Sequence, residues 1–176
     1  MTTRRPAPDE YAPFYEGYVA RVPEDDVIAV LVAQRDVLAG VAAAVSPERE
    51  GHRYAPGKWS VRQVFGHLAD AERLFGYRAL CIGRGDPTPL PGFDENSYVD
   101  GGGFEHRPLA ELTAELVAVR DANLPLLRSF GEADWRRRGT ANGVAVSTRA
   151  IAWILAGHVR HHLAVLSERY GVGAPA

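Results

Sequence analysis

Apolar residues recur at three-to-four spacing over four long stretches of this chain and almost nowhere alternate at spacing two. The first stretch, "EDDVIAVLVAQRDVLAGVAAAV", brings Val27, Val30, Leu31, Gln34, Val37, Leu38 and Val41 to one face. Pro23 suits its first turn, and the acidic residues at its start complement a helix dipole. Ser60 offers an N-cap to the second, "VRQVFGHLADAERLFGYRALCIGRG", in which Val64, His67, Leu68, Ala71, Phe75 and Ala79 share a face. The third is "LAELTAELVAVRDANLPLLRSF", where Pro125 is expected to kink the helix or divide it. The fourth starts after Ser147 and runs through "TRAIAWILAGHVRHHLAVLSERY" to Gly171, which suits a C-cap. These faces predict an all-α protein, a four-helix bundle with long connecting loops.

The connectors refine that outline. The segment from Ser46 through "PEREGHRYAPGKW" is broken by proline and glycine. The stretch "GDPTPLPGFDENSYVDGGGFEHRP" is too long for a simple bundle turn; such loops cover a site or carry the chain across the bundle to a parallel neighbour. A third connector, "GEADWRRRGTANGVAVS", has room for a short extended piece at Val144 to Val146. With 176 residues and no internal repeat or linker, the expectation is one domain over 1-176, residues 1-22 forming an N-terminal extension packed on the bundle.

Composition narrows the function classes. The chain is 46% apolar and 24% charged with a formal net charge of −2, so it shows neither a disordered composition nor a basic stripe for nucleic acid. The runs "RRP" and "WRRRG" read as surface charge near turns. Cys81, the single cysteine, cannot form an internal disulfide and reads as a small buried apolar residue. No stretch is apolar for the 18 or so residues of a membrane span, and the proline-rich start lacks a signal-peptide core. A cytoplasmic protein with no membrane partner is expected.

Three of the six histidines fall within "HVRHH" on the last helix. Ile151, Leu155, His158, His162, Val165 and Arg169 form one stripe, so His158 and His162 stand one turn apart and can address one point. Histidines at this spacing suit a transition metal. His67, on the inward face of the second helix, is the best partner, whereas His161 can replace His162 in the pair on spacing alone. Ordinary core histidines are the competing explanation. Burying several imidazoles without a shared task leaves each needing its own hydrogen-bond partner, while a metal satisfies one nitrogen of each at once.

His52 and His106 lie in loops and read as surface residues. Asp70 and Glu72 read as helix-surface charges, although Asp70 can also orient an imidazole or act as a base. Gln34 and Arg35 fit core-edge packing as well as a polar ligand. Trp59, Trp153 and Phe65 read as core anchors, and Asp94, Glu95 and Asn96 as turn formers that can also border the pocket.

"RYAPGKWSVRQVFGHLADAERLFGYRAL", "LPGFDENSYV" and "GHVRHHLAVLSERYG" together resemble the DinB-like superfamily, named for a DNA-damage-inducible protein and distinct from the DNA polymerase of that name. The resemblance covers nearly the whole chain and rests on Gly57-Lys58-Trp59-Ser60, His67 and His158-x-x-x-His162. It implies a bundle running up-down-down-up and a divalent metal held by one histidine of the second helix and two of the last, here His67, His158 and His162.

Three imidazoles leave coordination positions open, so an enzymatic role is favoured over a structural one, with nickel, zinc or iron(II) all acceptable. The resemblance implies a thiol S-transferase that brings a low-molecular-weight thiol such as bacillithiol, mycothiol or glutathione to a small electrophile in detoxification or stress response. The alternatives are a metal-dependent hydrolase and a non-catalytic metal- or ligand-binding bundle. A homodimer formed through apolar bundle faces is a further expectation.

Overall fold

The computed structural model describes residues 4–172; residues 1–3 of the expected N-terminal extension, and 173–176 at the other end, lie outside the described residues. Four long helices carry the fold: α2 (Val27–Ala43), α3 (Val61–Arg84), α5 (Leu109–Arg128) and α7 (Thr148–Tyr170). Between and before them lie α1 (Glu16–Val19), α4 (Glu95–Gly101), α6 (Glu132–Arg136) and a hairpin of β1 (Arg138–Ala141) with β2 (Val144–Ser147).

Local chemistry sets most of the long boundaries. Ser60 Oγ accepts from the Gln63 amide while the Gln63 side chain accepts from the Ser60 amide, a reciprocal cap that starts α3. Ser147 Oγ accepts from the Ala150 amide to start α7, and Gly171 ends it in the left-handed region at φ 61°. Two expectations need correction. The first long helix does not begin at Pro23: Asp26 Oδ1 accepts from the Ala29 amide, so the cap falls at Asp26 and the acidic residues stand before the first turn. Nor does Pro125 divide the third: α5 continues through it to Arg128, so the bond its missing N–H would make to the Asp121 carbonyl is forgone only within the last turn.

Contacts along the helices give their directions. Glu72 meets Arg120 while Gly83 abuts Phe130, so α3 and α5 run parallel. Tyr170 reaches Trp59 while His158 meets His67, so α3 and α7 run antiparallel. Val27 and Val30 share a core cluster with Leu124 and Leu127, and Leu38 and Ala42 share another with Leu112 and Leu116, so α2 opposes α5. The bundle is therefore up-down-down-up, and the long loop between α3 and α5 is what allows two consecutive helices to run the same way.

The apolar core forms two clusters, one at the α6 and hairpin end and one at the Trp59 end. A polar layer of Gln34, Glu72, Arg120 and Asn123 joins the helices where the clusters meet. Trp153 and Phe65 are fully buried, as core anchors should be, and Cys81 is buried too. Among the described residues no helix is long and apolar enough to cross a membrane.

Candidate metal centre

His67 stands two turns into α3, and His158 and His162 stand one turn apart on α7, its antiparallel neighbour. This pairing brings Nε2 of His67 to 3.0 Å and Nε2 of His162 to 3.1 Å from Nε2 of His158. One ligand nitrogen from each of the three lies within 4.8 Å of the others, so the set can hold a metal ion.

Hydrogen bonding alone leaves this cluster unsatisfied. Nε2 of His158 faces two imidazole nitrogens but carries a single hydrogen or a single lone pair, and the buried Nδ1 of His67 has no partner. An ion accepting a lone pair from each Nε2 resolves the conflict at His158, and separations near 3 Å suit bonds of about 2.1 Å to a shared centre. Burial pushes His67 down to about 4. Burial, reinforced by the neighbouring imidazoles, holds His158 and His162 well below 6.5. The rings are thus neutral at pH 7, which is the form that ligates.

The triad opens into a cavity of about 300 Å³. Trp59 forms one wall, its ring 4.8 Å from that of His67 and stacked 6.4 Å from that of His162. It is half-buried rather than a core anchor, and the Tyr170 hydroxyl holds it by donating to the Trp59 carbonyl at 2.7 Å. The N-terminal segment supplies a second wall. Tyr18 of α1 stands edge-on to His158 at 5.4 Å and to His161 at 5.5 Å. The chain comes this close because residue 157 is glycine: a Cβ there would sit 2.0 Å from the Tyr18 carbonyl oxygen.

The loop after α3 and the hairpin border the cavity on a further side. Asn142 and Gly143 turn the hairpin at φ 53° and 73°, the left-handed pair a tight two-residue turn requires. The Leu90 amide donates to Thr140 O at 2.9 Å and the Asn142 amide to Leu90 O at 3.0 Å, pinning the loop against the hairpin. Arg78, three turns beyond His67 on α3, lines the same cavity and donates to Pro91 O at 2.8 Å.

The other candidates fall elsewhere. His161 is half-buried at the cavity wall beside Tyr18, outside the three converging nitrogens. Asp70 lies 3.7 Å from Arg73 and makes no hydrogen bond to an imidazole. Glu72 corrects the surface expectation, being wholly buried and paired in two bonds with Arg120. Gln34 is buried against Arg120 and the Ala156 carbonyl, while Arg35 pairs with Asp121. Asp94 caps α4 by accepting from the Ser97 amide, and Glu95 lines the cavity from an exposed position. His52 and His106 are exposed. Sequence reasoning passed over Tyr18, Arg78, Arg120 and Asn142. The usable signals were arginines at core positions of helical stripes and the Asn-Gly turn.

A sequence model of the DinB superfamily matches residues 31–166. The chain belongs to the DinB superfamily. It is 26% identical over 139 residues, 78% of each chain, to a protein of Geobacillus thermodenitrificans named as a candidate metal-dependent hydrolase. Its fold is similar to that of YfiT from Bacillus subtilis, described as a probable metal-dependent hydrolase with an unusual four-helix bundle topology. That match has a TM-score of 0.74 at 21% identity and covers 82% of this chain and 86% of YfiT. It is also similar to a mycothiol-dependent maleylpyruvate isomerase, with a TM-score of 0.65 at 16% identity over 83% of this chain and 61% of that one. This superfamily member thus shares its bundle fold with proteins named for metal-dependent hydrolysis and for a mycothiol-dependent isomerisation.

Proposed function

We propose that this protein binds one divalent transition metal, nickel, zinc or iron(II), through Nε2 of His67, His158 and His162, and catalyses S-transfer from a low-molecular-weight thiol to a small electrophile in detoxification or stress response. The observation that carries this reading is the convergence of three neutral imidazole nitrogens beside a partly open cavity. When bound, such an ion supplies Lewis acidity that favours the anionic form of a small nucleophile near neutral pH. The rings of His67, His158 and His162 fix where that nucleophile sits. Trp59 and Tyr18 wall the site and limit water. Burial, with Arg21 adding to it, lowers the pKa of His161, so its ring is neutral at pH 7 and can take a proton at the cavity wall. The mycothiol-dependent structural neighbour supports the thiol chemistry.

A second reading, hydrolysis with water in place of the thiol, is favoured by the names of the other two relatives. Metal analysis of the untagged protein beside a His158→Ala, His162→Ala variant tests what both share. About one divalent metal per chain, lost in the variant, is expected; no uptake from nickel, zinc or iron(II) sinks both. A thiolate charge-transfer band on adding mycothiol, bacillithiol or glutathione to the nickel-loaded protein, with turnover that requires the thiol, selects S-transfer. Thiol-independent ester cleavage without that band selects hydrolysis.

A further inference from the structure

Arg78 is 4% exposed and sits in the cavity that holds the three histidines. Its one hydrogen bond within the protein runs from Nη2 to the Pro91 carbonyl, and no carboxylate among the described residues lies within ion-pair distance of it. A guanidinium has five N–H donors, and burying its charge without an anion is costly. The Phe75 ring lies 5.5 Å from its carbon, a cation–π contact that offsets only a part of that cost.

The other buried arginine of the described residues shows what a closed structural arginine looks like here. Arg120, at 0% exposure, donates twice to Glu72 and also to Leu31 O and Gln34. Arg78 has the burial without the counter-ion. Glu95, the carboxylate that shares its cavity, is exposed and forms no ion pair with it.

We propose that Arg78 is the seat of a ligand carboxylate, so that the substrate or product of this site is a small carboxylic acid with an apolar or aromatic body. Planar, two-point recognition of a carboxylate is what a free guanidinium face does best. The cavity suits the rest of such a molecule, because Phe75 contacts both Arg78 and the triad, its ring being 6.2 Å from that of His158, and Tyr18 lines the same cavity. His67 and Arg78 share a face of α3 about 16 Å apart in rise, and side chains lean toward the helix N-terminus, so the guanidinium reaches back toward the histidines. A ligand anchored at Arg78 extends its other end to Nε2 of the triad. That orientation rests on the proposed metal centre, whereas the anion seat itself does not.

The test is calorimetric titration of the full chain, nickel-loaded and metal-stripped, with benzoate and with its neutral counterpart benzamide. Benzoate is expected to bind about tenfold or more tightly than benzamide to both forms. Arg78→Met should abolish the preference and Arg78→Lys should keep part of it. Equal binding of the two probes, no binding of benzoate, or a preference undiminished in Arg78→Met overturns the inference. A preference that appears only with nickel and survives Arg78→Met also overturns it, and leaves the metal reading standing. A preference in the stripped chain that Arg78→Lys retains supports it even if Arg78→Met does not fold. If the chain takes up no nickel yet still prefers benzoate through Arg78, the anion seat stands and the metal reading falls.

Discussion

Two buried polar clusters sit side by side in this bundle, and they have opposite character. Glu72, only five residues after His67 on α3, pairs with Arg120 in bonds of 2.8 Å; Asn123 donates to it, and Gln34 links Arg120 to the Ala156 carbonyl at 2.7 Å. Every bundle helix contributes to that network, and no atom in it is left over. The triad lies two residues further along α7, yet its nitrogens crowd together, one buried Nδ1 is orphaned, and a cavity stands open beside it. Burial is common to both, so burial does not distinguish structure from function here. Satisfaction does: Glu72 and Arg120 are closed by the protein's own groups and hold the fold, whereas the triad is left short beside an open cavity.

The closed network should break hardest. Arg120→Ala leaves Glu72 buried without its counter-charge and is expected to cost about 3–5 kcal/mol, read from urea unfolding. Replacing both partners, as in Arg120→Met with Glu72→Leu, should cost far less, because the uncompensated charge disappears with the pair. If the single variant proves as mild as the double, Glu72 does not depend on Arg120 for its counter-charge.

The triad should respond with the other sign. In metal-free protein His67→Leu removes an unpartnered Nδ1 from the interior and relieves crowding at His158, so stability is expected to stay level or rise by about 1 kcal/mol. Nickel at about a hundred times its dissociation constant should stabilise the wild type by about 2.7 kcal/mol and the variant hardly at all. A His67→Leu variant that unfolds more easily in chelator would show the triad to be structural.

The bundle was legible because four amphipathic periods and three local caps, at Ser60, Ser147 and Gly171, are written in contiguous residues. The short elements were not. The first helix α1 holds because Gly157 lets it approach, and the Leu90 loop pins the hairpin, of which only the Val144 to Val146 stretch and the Asn-Gly turn are written locally. His158 and His162 declared themselves by spacing, whereas His67 needed the pairing of α3 with α7, supplied at first by inward facing and by family resemblance. Arg120 was readable in principle, four residues after Leu116 and four before Leu124 on a core stripe. So was Glu72, four after Leu68. A charge on an apolar stripe is a buried charge, and two such on different helices are each other's natural partner.

Glu10 extends the comparison to the edge of the molecule and gives its smallest effect. Its carboxylate is buried, and it accepts from the Ala7 amide, the Ser147 hydroxyl and the Arg149 guanidinium. Burial pushes its pKa up, but Arg149 and the two other donors together outweigh burial and hold it below the ordinary 4.5. A carboxyl depressed in the folded state contributes stability that is complete above pH 4.5 and fades as pH falls through the folded value. Glu10 ties the N-terminal segment to the start of α7, so acid should loosen the segment that presents Tyr18. Unfolding free energies measured from pH 6 down to pH 3 are expected to fall less steeply for Glu10→Gln than for the wild type, with the two differing most at the upper end. Parallel curves would mean that Glu10 gains nothing from its partners on folding, and that satisfaction protects only where all four helices close around it.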